Sequence, residues 1–98
     1  MSVPSVGVEE ECLLVDPLTG APVPRNADVA RYAGERGVDL QLELTTCQVE
    51  TATDKADTSS QLREQITRLR RLAADASSAA GATLLAVRSE EHTSELQS

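Results

Sequence analysis

Between residues 6 and 15 apolar side chains fall on one parity: Val6, Val8, Cys12 and Leu14 are even-numbered, while Glu9 and Glu11 are odd. A period of two predicts a strand whose successive side chains point to opposite faces. Residues 16–20, Asp-Pro-Leu-Thr-Gly, carry turn chemistry: Pro presets φ, Asp bonds the following backbone and Gly accepts positive φ. The proline-rich piece at 21–24 is expected to be an edge strand or loop. Asn26 or Asp28 is placed to cap a short helix running to about Gly34, stopped by Gly34 or Gly37. Residues 39–53 form a second strand region, with Leu40, Leu42 and Leu44 in alternation. The phase then shifts so that Val49 is apolar at an odd position, which a bulge or a strand end at 45–47 would produce.

The pattern changes to a period near 3.6 at about residue 59. Leu62, Ile66, Leu69, Ala73, Ala76 and Ala80 make one stripe, widened by Leu72, and predict a helix over 59–80. Thr58 and Gln61 fit a capping box, Glu64 and Arg68 an i,i+4 pair, and Gly81 a helix stop. Arg63, Arg68, Arg70 and Arg71 populate the other faces, where a solvated surface is the ordinary role. Residues 82–87 begin another strand. Strand, turn, extended piece, helix, strand, helix and strand together indicate an α+β or α/β domain with parts missing.

Composition narrows the picture. Ninety-eight residues allow at most one domain, with a modest core. No apolar run reaches the length of a membrane span, and the N-terminus lacks the basic and apolar regions of a signal peptide. Cys12 and Cys47 form no C-x-x-C, so a reduced cytoplasmic pair is expected. A net charge of −7 argues against nucleic acid as a partner. Tyr32 is the single aromatic residue, thin material for a small self-sufficient core.

Residues 88–98, RSEEHTSELQS, follow abruptly on the apolar run 84–87. They are the translation of a common short-read sequencing adapter, matched at every codon. A genuine polar tail is the competing reading. The adapter reading sets residues 88–98 outside the fold, and makes 1–87 the N-terminal part of a single, truncated domain. It also removes His92, the one histidine, as evidence for catalysis or metal binding. Without the tail's three acids and one base, 13 acids and eight bases remain, a net charge of −5.

The three adjacent acids Glu9, Glu10 and Glu11 are the sharpest chemical feature. Glu9 and Glu11 share a face, separated by roughly 7 Å along the strand. Two unit charges at that distance repel by about 2.4 kcal/mol at an effective dielectric near 20, and by about 0.6 kcal/mol in water. On a solvated face the pair costs little. In a cleft a cation must offset it or one carboxyl must protonate. Mg²⁺ suits such a pair because it takes oxygen ligands and bridges carboxylates to phosphates. Spacing alone favours the solvated face. Glu10 shares its face with Val8, Cys12 and Leu14; a partly exposed acid with no chemical role is expected there. Glu43 and Glu50 raise the same question on the second strand region. Cys47 lacks a histidine base within 1–87, so a buried thiol is expected rather than a nucleophile.

In combination these blocks are more specific. VGVEEECLLVDPLTGAPVP, then LELTTCQVETAT, a long Arg/Ala/Leu helix and GATLLAV resemble, in order, the N-terminal part of glutamate–cysteine ligase type 2, a bacterial carboxylate–amine ligase family. Gly7-Val8-Glu9-Glu10-Glu11 and Gln48-Val49-Glu50 carry the resemblance most sharply. It implies a catalytic fold like glutamine synthetase and the guanido kinases, with an antiparallel sheet forming a cleft. It implies joining of the γ-carboxylate of glutamate to the amine of cysteine, or another amine, with ATP and Mg²⁺ and through an acyl phosphate. By position, Glu9, Glu11 and Glu50 are implied metal ligands, with Glu43 a weaker candidate. Cys12 stands where a larger apolar residue, often Phe, is expected, and Thr46 where a bulkier or charged one is. The chain alone is expected to be inactive and poorly folded. The competing reading is a small acidic interaction module whose helix packs on a partner.

Overall fold

A computed structural model describes residues 5–42 and 46–94. Glu43 lies outside the described residues. The chain forms an antiparallel α+β unit: β1 (Ser5–Val15), α1 (Asn26–Glu35), β2 (Gln41–Leu42), β3 (Gln48–Ala52), α2 (Ser59–Ala79) and β4 (Thr83–Ser94). The sheet order is β2-β3-β1-β4, so β1 is flanked on both sides. No helix among the described residues is long and apolar enough to cross a membrane.

The period-two pattern is realised in β1. Val8, Cys12 and Leu14 are buried against the helices, and Leu14 is fully so. Cys12 and Leu14 join Val29 and Ala33 of α1, Val49 of β3, and Ala73 and Ala76 of α2 in one core. The turn after β1 forms as its residues require: Asp16 Oδ1 accepts from the amides of Leu18 at 2.8 Å and Thr19 at 3.0 Å. Gly20 takes φ +76° and closes the loop by donating to the Asp16 carbonyl. Pro22 makes a single bridge to Val15, the edge contact that a donor-poor segment permits.

The phase shift in residues 39–53 is a strand end rather than a bulge. Thr46 and Cys47 lie in a turn, and β2 folds back on β3 with Gln41 opposite Glu50 and Leu42 opposite Val49. A register irregularity occurs instead between β1 and β4. Glu11 pairs with Arg88 and Cys12 with Ala86, leaving Val87 as an extra residue. Such a bulge twists the strand and re-aims neighbouring side chains.

Helix α2 starts at Thr58, whose hydroxyl accepts from the Gln61 amide at 3.1 Å. Gln61 returns a bond to Asp57 rather than to the cap residue. The helix ends in a Schellman arrangement: Gly81, at φ +80°, donates to Ser78, and Ala82 donates to Ser77. Helix α1 departs from its expected capping. Its N-cap is Arg25, with no side-chain cap bond. Asn26 is instead buried in the first turn, its amide side chain donating to the Gln48 carbonyl at 3.3 Å. Asn26 therefore ties the helix start to β3.

Residues 88–94, which the adapter reading sets outside the fold, continue β4 along β1. A polar segment can extend an edge strand because the ladder is made by backbone groups.

Candidate functional site

Strand alternation divides the three adjacent acids. Glu9 and Glu11 point to the face opposite the helices, with side chains 39% and 33% exposed. Glu50 is directly opposite Glu11 in the β1–β3 ladder, and cross-strand partners share a face. Glu9, Glu11 and Glu50 thus surround one small depression of about 40 Å³, completed by Arg88 and Glu90 of β4. The sheet brings Glu50, 39 positions further along the chain than Glu11, to Glu9 and Glu11, and all three are expected ligands.

The arrangement is not a closed ligand set for all three. Among the described residues, the group whose ligand atoms lie within 4.8 Å of one another is Glu9, Glu90 and His92. His92 Nε2 is 3.1 Å from Glu9 Oε1. The Arg88 guanidinium stands between acids, 3.7 Å from Glu11 and 3.0 Å from Glu90. Arg88 offsets part of the repulsion among these acids. That role was not legible beforehand, because Arg88, Glu90 and His92 all belong to the adapter-like segment.

Gly7 opens the acid block at the end of this row. A Cβ there would meet Lys55 and Thr53 only at 3.7 Å, an ordinary contact. Nothing among its described neighbours requires glycine.

Glu10 corrects the expectation of a partly exposed acid. It is 4% exposed and faces the helices. Arg70 of α2 grips it side-on, Nε donating to Oε1 at 2.9 Å and an NH2 nitrogen to Oε2 at 2.7 Å. Ser89 adds a donor at 3.1 Å. The Arg70 bonds hold the Glu10 carboxyl below the usual carboxylate range and outweigh the opposing effect of burial. Arg70, expected on a solvated face, keeps much of its own side chain in water while its fork reaches the sheet. The apolar pattern around Glu10 was the available signal: a charge at that parity needs a partner.

Cys12 is buried, and its thiol is pushed up to about 11, chiefly by desolvation and then by the Glu10 charge. It is an inert core thiol at neutral pH. Cys47, also free, is half-buried in the turn rather than in a strand.

Comparison with known proteins matches residues 5–95 to the family "Glutamate-cysteine ligase family 2". The chain is 64% identical over 84 residues to "Putative glutamate–cysteine ligase 2-2" of Mycobacterium sp. (strain KMS), covering 86% of this chain and 23% of that protein. It is 61% identical over 83 residues to "Putative glutamate–cysteine ligase 2-3" of Mycolicibacterium smegmatis, covering 85% and 23%. A more distant relative, "Putative glutamate–cysteine ligase 2" of Rhodopirellula baltica, is 39% identical over 80 residues, covering 76% and 22%. The chain therefore spans about a quarter of the length of these relatives.

Proposed function

The chain belongs to glutamate–cysteine ligase family 2, and from that premise we propose that it forms one wall of the active site of an ATP-dependent carboxylate–amine ligase. The reaction joins the γ-carboxylate of glutamate to the amine of cysteine through an acyl phosphate. The observation that carries this reading is the convergence of Glu9, Glu11 and Glu50 on one depression of the uncovered sheet face. In the whole enzyme that face is one side of a glutamine synthetase-like cleft.

The donor set fits the cofactor. Glu9, Glu11 and Glu50 offer only carboxylate oxygens, the ligand class Mg²⁺ prefers over nitrogen or sulfur. Bound there, Mg²⁺ would neutralise phosphate oxygens of ATP. The residues of this chain do the positioning. Glu9 and Glu11 project from one rigid strand, with a neighbour strand on each side. Glu50 approaches from the adjacent strand in fixed register with Glu11. Preorganisation of this kind is how a protein assists phosphoryl and acyl transfer when most of the chemistry lies in the substrates.

The test uses a full-length hybrid in which residues 5–87 replace the matching segment of the Mycobacterium relative. Phosphate release dependent on glutamate and cysteine is expected. Glu9→Gln and Glu11→Gln should each lower kcat/KM by about 100-fold or more, as losses of electrostatic stabilisation in a reaction centre do. Full activity in both variants would refute the assignment.

A further inference from the structure

Helix α2 has an unusually smooth buried face. Its buried side chains are Ala73, Ala76 and Ser77. Larger residues at the contact, Leu69 and Leu72, are only partly covered. Ridges of small side chains allow close approach, but they are shallow and resist axial sliding weakly. Ser77 does not tie the helix to the sheet, because its hydroxyl donates to Ala73 of the same helix. Among the described residues, the side-chain bonds that cross from α2 to β1 are the two that Arg70 makes to Glu10. Two parallel bonds between planar groups fix direction as well as distance. An ion pair with its carboxylate buried and its guanidinium largely in water is thus placed where apolar packing sets registry least, and setting registry is the best-attested use of such a pair.

Glu10 lies between Glu9 and Glu11 in the chain. Whatever fixes the peptide planes around Glu10 also fixes how its two neighbours leave the opposite face. From this juxtaposition we infer that Arg70 is a positioning residue for the acid array: by gripping Glu10 from beneath, it sets where α2 sits along β1 and holds Glu9 and Glu11 in their ligating orientation. The inference rests on the cation-binding reading of Glu9 and Glu11 given above.

The test titrates Mn²⁺, as a spectroscopic substitute for Mg²⁺, into the 98-residue chain and reads free Mn²⁺ by electron paramagnetic resonance. All variants carry Glu90→Gln and His92→Gln, so that the adapter-like segment supplies no ligand. The folded fraction of each is fixed from urea unfolding. Arg70→Lys keeps the charge but loses the two-pronged grip, and should weaken Mn²⁺ binding per folded molecule by about tenfold, the effect typical of groups that orient metal ligands. Glu10→Gln should do the same. Arg70→Gln should do so more strongly, and if it fails to fold the other two variants still decide. Affinity within twofold of the parent in Arg70→Lys and Glu10→Gln, with only the unfolding midpoint lowered, would reduce Arg70 to a structural role and overturn the proposal. Parent binding that is indifferent to Glu9→Gln and Glu11→Gln would instead overturn the cation-site reading, and the positioning role with it.

Discussion

The two faces of β1 treat the same residue type in opposite ways. On the helix side, Glu10 is buried and held by an arginine. On the open side, Glu9 and Glu11 remain partly in water and meet acids from β3 and β4. One residue step separates these environments. A carboxylate on the covered face must be paired, because leaving it unpaired in a poorly hydrated site is expensive. Carboxylates on the open face gather around Arg88, 3.7 Å from Glu11 and 3.0 Å from Glu90, with His92 3.1 Å from Glu9, and water offsets what repulsion is left. The covered face thus uses an acid to fix structure, and the open face brings acids from three strands together.

Breaking the covered face should have the largest effect on stability. Leu14 is fully buried at the middle of the core. Leu14→Ala should cost about 2–5 kcal/mol, the range for a leucine truncated in a close-packed interior. Chemical denaturation of the hybrid enzyme would measure this; a loss below about 1 kcal/mol would show that α1 and α2 do not pack on β1 as described.

The Glu10–Arg70 pair should give a smaller, pH-dependent effect. Because the folded carboxyl is lowered by Arg70, its contribution is fully present above the ordinary value of 4.5 and is lost as pH falls through the lower folded value. Arg70→Gln should remove that contribution and leave a buried acceptor short of donors, at a cost of about 1–3 kcal/mol near neutral pH. Its acid unfolding should also begin at higher pH. Cys12 works in the opposite direction. Its folded thiol is raised from 9.0 to about 11, so the unfolded chain ionises first and stability should fall as pH rises across that interval. Cys12→Ala should flatten the alkaline limb. Unfolding curves between pH 3 and pH 11 would check both signs, and parallel profiles for parent and variants would remove both groups from the account.

Much of this contrast is legible in the sequence. The even parity of Val8, Cys12 and Leu14 already assigns Glu10 to the covered face and Glu9 and Glu11 to the other. The α2 stripe, the Thr58 cap and the Gly81 stop follow from side-chain chemistry within one or two turns. What is not legible is long-range pairing. Arg70 reaches Glu10 across 60 positions, and on a helix wheel it is simply another polar residue. The 39–53 region shows a phase change, but alternation alone does not separate a strand end from a bulge. Asn26 looks like a cap because that is the commonest local use of its amide; its real bond is to a strand 22 positions away. The meeting of Glu50 with Glu11 depends on the β1–β3 register, which no local pattern encodes. The sequence resemblance points to both residues without any knowledge of that register.

The most direct test is to map which carboxylates a cation touches. In the 98-residue chain carrying Glu90→Gln and His92→Gln, with ¹³C-labelled glutamate, sub-stoichiometric Mn²⁺ should broaden the side-chain carboxyl signals of Glu9, Glu11 and Glu50 first. The Glu10 carboxyl, on the far side of the sheet in the grip of Arg70, should persist. Broadening of Glu10 together with its neighbours, or no selective broadening of the three open-face acids, would contradict the division of labour between the two faces.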